Sequence, residues 1–288
     1  MTNTTWSDNT AHNNNLIEFR SGGGTISNTG TWNDKNAFNA SMVLDTYGTP
    51  SAFHNIGTYN KQGNAITLIA ATYSNSGTTN IEAGTLGVAD SFSNSGVIAV
   101  AADSKFLVLD VILASAGEHQ DLKSHTTFDN AATGLIRGRG TVVTPALGLT
   151  NYGAIDPGDS VGHLTIHGDL TQAASGVVNI ELASLSSFDQ LAVTHDVTLG
   201  GTLAVSNLAY TPVIGDSFVI MTFDERIAGS TFSSVSMKGF GSGVTLEVLY
   251  HQHDVTLAVT AVPEPESWAM LLAGLGMIGT MGRRRWTA

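Results

Sequence analysis

The tripeptide Asn-x-Gly recurs along this chain, as Asn28-Thr29-Gly30, Asn55-Ile56-Gly57, Asn75-Ser76-Gly77, Asn94-Ser95-Gly96 and Asn151-Tyr152-Gly153. Successive asparagine positions rise by 27, 20, 19 and 57, and 57 is three times 19. Gly134 lies two steps of 19 beyond Gly96 and one step before Gly153, in keeping with the same period. Each Asn-x-Gly reads as a turn. Glycine reaches positive φ without steric cost, and asparagine tolerates left-handed geometry while bonding to local backbone. Short alternating segments follow the turns: TTNIE from Thr78, GTLGV from Gly84 and VIAV from Val97. Period-two alternation sends Leu, Ile, Val and Ala inward and Thr, Ser and Asn outward. One such coil cannot bury its apolar face, whereas a stack of coils can.

The predicted fold is therefore all-β: a right-handed parallel β-helix (solenoid) with about 19–20 residues per coil. Roughly 12 coils at ~4.8 Å each would make a rod on the order of 60 Å long. A β-sandwich has similar turn spacing but gives no reason for a fixed repeat. The dense apolar run FLVLDVILA from Phe106 fits a pair of buried strands. Three regions are expected: solenoid repeats over 1–150, C-terminal coils over 151–261, and a distinct segment over 262–288. Residues 1–15 have no basic start and no apolar core, so they are not a secretory signal. The chain is expected to begin inside a repeat, with its true start upstream.

Charge narrows the partners. The formal net charge is −12, and three of the 12 basic residues are Arg283, Arg284 and Arg285. Before Pro263 there are 9 basic against 22 acidic residues, or −13. Such a body repels nucleic acid and anionic membrane. With no cysteine, a disulfide framework and Cys-ligated zinc are excluded. No phosphate loop, dinucleotide fingerprint or zinc-protease helix motif is present, and no cofactor is expected.

The C-terminus is built differently. Val262-Pro263-Glu264-Pro265 precedes an apolar run from Trp268 to Met281, carrying Leu271, Leu272, Leu275 and Ile278. Ser267 can cap a helix that starts beyond Pro265. Along such a helix Trp268 and Trp286 stand about 27 Å apart, near the thickness of a bilayer core. Tryptophan favours both interfaces, and the three arginines stay cytoplasmic, leaving the body outside. The tail reads as a membrane-anchoring helix with a basic stop.

Two resemblances follow from these residues. FHNIGTYNKQGNAITL from Phe53, NSGTTNIEAGTLGV from Asn75, NYGAIDPGDSVGHLTIHGDLTQ from Asn151, FDQLAVTHDVTLGGTLAV from Phe188 and GDSFVIMTFDERIAGSTFSSV from Gly215 resemble coils of exported bacterial β-solenoids and autotransporter passenger domains. About 50 residues remain after Val235, and a membrane barrel needs at least eight strands of about 10 residues each, so a conventional autotransporter is not expected. The terminal constellation of Pro-Glu-Pro, apolar helix and basic cluster resembles the PEP-CTERM sorting signal. That resemblance implies export in a Gram-negative bacterium that makes exopolysaccharide. It also implies recognition by an exosortase, a transpeptidase-like membrane enzyme, and cleavage near Val262–Pro265. The chain would pass through an inner-membrane intermediate to the cell surface or beyond.

Candidate chemistry is sparse. Asp156 and Asp159 flank Pro157-Gly158 as a candidate carboxylate pair, at a position where a turn also wants those residue types. In Thr194-His195-Asp196, neighbours on a strand face opposite ways and cannot form a relay by themselves. His251 and His253 would share one face of a strand, too few ligands to close a metal site. Glu118, His119, Asp121 and His125 form the densest titratable cluster, in an expected loop. No catalytic and no metal residue is assigned. The expectation is a non-enzymatic structural or adhesive solenoid of the extracellular matrix, with exopolysaccharide as a candidate contact. The alternatives are a polysaccharide lyase or hydrolase on the same fold, or a piece of a larger adhesin.

Overall fold

The computed structural model describes residues 3–6, 15–18, 24–38, 40–43, 51–89, 91–110, 126–241 and 244–261. The C-terminal helix, the sorting motif and the cluster from Glu118 to His125 lie outside them. Three sheets, of 11, 11 and 8 strands, run along the molecule, and nearly all neighbouring strands pair in parallel. In each coil the chain passes from the third sheet to the first and then to the second. The strands Thr72–Asn75, Thr78–Ile81 and Thr85–Ala89 make one coil, and Phe92–Asn94 begins the next. This is a parallel β-helix. Its strands are short because each coil must turn three corners within its length.

The repeat asparagines face inward, not outward as the alternation predicted. Asn28, Asn55, Asn75, Asn94, Asn130 and Asn151 are all buried. Each donates Nδ2 to the side-chain oxygen one coil on. The steps are Asn28 to Asn55 (2.8 Å), Asn55 to Asn75 (2.8 Å), Asn75 to Asn94 (2.8 Å), Asn94 to Asn130 (2.8 Å), Asn130 to Asn151 (2.7 Å) and Asn151 to Gln172 (2.9 Å). The physical reason is the corner. Backbone carbonyls there turn into the lumen, and the same Nδ2 groups also reach Thr58 O, Thr78 O and Val97 O. A buried carbonyl needs a donor. An amide supplies one and repeats at the spacing of stacked strands. Outside, Asn33, Asn60 and Asn80 form a second ladder on the first sheet, at 2.9 Å per step.

The Asn-x-Gly corner also explains its glycine. The N–H groups of Ser95 and Gly96 both donate to Asn75 O. A Cβ on Gly96 would lie 2.0 Å from Gly77 O, so no side chain fits between the stacked corners. Above and below this seam lies one hydrophobic core. Its third-sheet column starts at Ile26 opposite Phe53, runs aromatic with Phe53 opposite Tyr73 and Phe92 opposite Phe128, and ends aliphatic, with Leu149, Leu170 and Val197. Phe92 meets Tyr73, Phe106 and Phe128 at centroid distances of 5.5, 5.3 and 5.4 Å.

Two details of the repeat differ from expectation. Asn94 to Asn151 spans two coils, not three, because Val97 pairs directly with Leu135 in the first sheet. The extra length enters between the strands Lys105–Leu109 and Phe128–Asn130, a stretch that includes 111–125. The path of the first sheet crosses ten coils among the described residues, a stack of roughly 43 Å rather than 60. Later coils are longer than the period of 19 or 20. Ala154 pairs with Val177, Val177 with Thr202, and Thr202 with Ser234, so the position number rises by 23, then 25, then 32. The last segment then folds back. Strands Val244–Tyr250 and Asp254–Ala261 form an antiparallel hairpin, which caps the second sheet by pairing antiparallel with Ser217–Thr222.

Candidate functional site

The coil register brings Arg137 opposite Asp156 on the outer face of the first sheet. Both follow a buried isoleucine, so the alternation of the strands Leu135–Gly138 and Ala154–Pro157 turns them outward. The chain then bends at Gly158, where φ is +107°. Beyond the bend, Asp159 returns to lie 3.8 Å from Arg137 Nε. Arg137, Asp156, Asp159, Ser160, Glu181 and Leu208 line an open groove of about 340 Å³. Arg137 Nε makes no hydrogen bond among the described residues. Burial raises the carboxyl of Asp156, with Glu181 adding to the rise and Arg137 opposing it. The groove thus sets one guanidinium among three carboxylates, one of which is biased toward its protonated form. That arrangement can grip hydroxyl groups or hold a proton for acid catalysis.

Behind the groove sits Asp189, a residue the sequence did not single out. It is buried. Its Oδ1 accepts from Gly162 N at 2.7 Å and its Oδ2 from Glu181 N at 2.8 Å, tying the 158–162 bend to the strand that carries Glu181. Burial pushes its carboxyl up to about 7, against the pull of those two N–H donors and aided by the charges of Glu181 and Asp156. The folded chain therefore holds a proton that the unfolded chain releases in the ordinary carboxylate range. The stabilisation is complete below that range and is lost as pH rises through about 7. The expected loss between pH ~4 and ~7 is on the order of 2 kcal/mol, discounted for partial solvent screening. Urea titrations across that window check it. D189N should flatten the dependence, because an amide does not titrate and keeps the one good acceptor of the protonated carboxyl.

The other candidates are dispersed or rearranged. His251 and His253 do not share a strand face. They lie in the turn of the terminal hairpin, between the strands ending at Tyr250 and starting at Asp254. There His251 Nδ1 binds Asp254 Oδ1 at 2.6 Å, and His253 Nδ1 binds the carbonyl of Asp224. Desolvation works to raise the carboxyl of Asp254, but hydrogen bonds from His251 and Thr256 carry it below the ordinary range. Thr194, His195 and Asp196 sit at an outer corner, just after the strand Gln190–Val193. Thr194 Oγ1 contacts His167 Nδ1 at 3.0 Å, from the preceding coil. Sequence reasoning found Asp156 and Asp159 but missed Arg137 and Glu181, which come from neighbouring coils. The signal for Arg137 was the repeat itself, since it lies one period of 19 before Asp156. Among the described residues no helix is long and apolar enough to cross a membrane.

Residues 261–285 match the family model described as PEP-CTERM protein-sorting motif. The motif implies an exported chain processed by a membrane exosortase. No curated protein matches the chain. Among solved structures, the chain is similar to the Haemophilus influenzae Hap adhesin, at 13% identity and a TM-score of 0.33. That match covers 90% of this chain and spans 33% of the length of the adhesin chain.

Proposed function

We propose that this chain, a parallel β-helix with a PEP-CTERM sorting motif, is a non-enzymatic structural or adhesive component of the extracellular matrix. It is carried to the cell surface or beyond through a transient inner-membrane stage. The coils over 1–150 and 151–261 form the displayed body, and 262–288 serve as address and temporary anchor. Val262, Pro263, Glu264 and Pro265 are the processing motif. Trp268, Leu271, Leu272, Leu275, Ile278 and Trp286 hold the membrane, and Arg283, Arg284 and Arg285 stop transfer. The observation that carries this reading is the joining of that motif to a solenoid whose first sheet bears an outer Asn33–Asn60–Asn80 ladder beside a row of Thr31, Thr58 and Thr78, suited to contact with hydrated polymer.

One observation favours a second reading. The groove of Arg137, Asp156, Asp159 and Glu181 gathers three carboxylates and a guanidinium on one solenoid face, and paired carboxylates are what a polysaccharide hydrolase would need. The two readings part in one assay. The purified chain, incubated with acidic and neutral exopolysaccharides with or without calcium, should sediment with polymer and release no new reducing or unsaturated ends. Turnover that D156A or E181A abolishes would replace the matrix reading with the enzymatic one.

A further inference from the structure

We propose that His167 and His195 form an open binding site for a divalent transition metal, at the outer corner where the second sheet turns toward the third. The strand His163–His167 lies in parallel register on Gln190–Val193, with Ile166 opposite Val193. Past that pair, His167 stacks over Thr194 and Gly168 over His195. The His195 ring lies across the step from His167. The ring centroids are 5.8 Å apart, at an interplanar angle of 50°. A metal about 2.1 Å from two imidazole nitrogens at a tetrahedral angle needs ring centres about 5 Å apart. Exposed side chains close that difference by a small rotation, and His195 is 60% exposed.

The outer nitrogens are the ones left free. His167 Nδ1 lies 3.0 Å from Thr194 Oγ1, and His195 Nδ1 lies 3.7 Å from Asp169 Oδ1. Asp169 is itself held, accepting from Asp196 N at 3.1 Å, and Thr194 Oγ1 accepts from Gly168 N at 3.1 Å. A ligating histidine ordinarily gives its second nitrogen to a carboxylate or similar acceptor, which fixes the tautomer and leaves Nε2 for the metal. His167 has that support before any metal arrives, and the Asp169 carboxylate stands within ion-pair distance of His195, beyond hydrogen-bond reach. Among the described residues no three His, Asp or Glu side chains converge on one point. The site therefore offers two protein ligands and leaves the remaining positions to water or to an external donor. Imidazole pairs suit zinc or copper and disfavour calcium and magnesium, which want oxygen. The acidic body draws cations toward the surface.

The test uses the full chain without an oligohistidine tag, stripped with EDTA and titrated calorimetrically with zinc chloride. One equivalent of zinc should bind at this corner. H167A and H195A should each weaken that equivalent at least ~10-fold, with circular dichroism unchanged because both rings are exposed. H251A and H253A should leave it intact, and calcium chloride should not compete. No zinc uptake, or uptake that survives both H167A and H195A, would overturn the assignment.

Discussion

Replacing Asn94 with alanine should destabilise the chain by about 3 kcal/mol, while replacing Asn60 should cost about 0.5 kcal/mol or less. Both residues are rungs of an asparagine ladder, so the contrast isolates the interior. Asn94 Oδ1 accepts from Asn75, and its Nδ2 donates to Asn130 and to the carbonyl of Gly96. Removing it strips Asn75 of one acceptor and leaves Asn130 Oδ1 without its donor, at a position where water is excluded. Each orphaned buried group costs ~1–3 kcal/mol, and breaking a chain of polarised amides adds to that. Asn60 bonds to Asn33 and Asn80 in the same pattern. It lies on the outer face, where water can take over either bond. Chemical denaturation of the two variants measures the difference. Equal losses would mean that the lumen ladder is incidental to folding.

The second large effect concerns release. Provided with an export signal, the chain should be held in the inner membrane by its tail and then freed by cleavage near Pro263. The apolar run from Trp268 to Met281 is short for a stable span, which suits a temporary state. Each arginine at the far end resists transfer through the membrane by ~2.5–3.5 kcal/mol. Replacing Arg283, Arg284 and Arg285 together with alanine should weaken retention. Replacing Pro263 and Pro265 should leave insertion intact and abolish processing, turning a released protein into a membrane-bound one. Mass spectrometry of the C-terminal peptide, in cells with and without the exosortase, reads the outcome. Released protein still ending at Ala288 in both strains would refute the sorting role.

The repeat was legible because corner chemistry is local. Asn-x-Gly demands the same backbone wherever it falls, so its spacing reports the coil. What the asparagine does with its side chain was not legible, because that depends on the coil above. Alternation itself holds, since Tyr73 and Asn75 face inward together; what misled was sorting the faces by polarity, and Asn75 stands at a corner whose carbonyls need a donor. The arithmetic of 57 as three periods failed for a related reason. A long insertion and a pair of true coils give the same sum, and only the pairing of Val97 with Leu135 separates them. At the groove, Asp156 and Asp159 were visible as neighbours in sequence. Arg137 and Glu181 are neighbours only in the stack, and Asp189 acts from beneath, through backbone N–H groups that no motif encodes.

The terminal hairpin has a mechanical consequence. The strand Asp254–Ala261 is the last described element before the tail in sequence, and it is clasped on one side by Ser217–Thr222 and on the other by Val244–Tyr250. If the tail is held in the membrane as proposed, drag on the body reaches the coils through this strand and its two partners. Force applied along the strand loads both ladders in shear, so many bonds must yield together rather than one after another. The parallel coils behind it are joined rung by rung and would peel if pulled from a free edge. A tether there would load a doubly flanked antiparallel strand before any parallel coil.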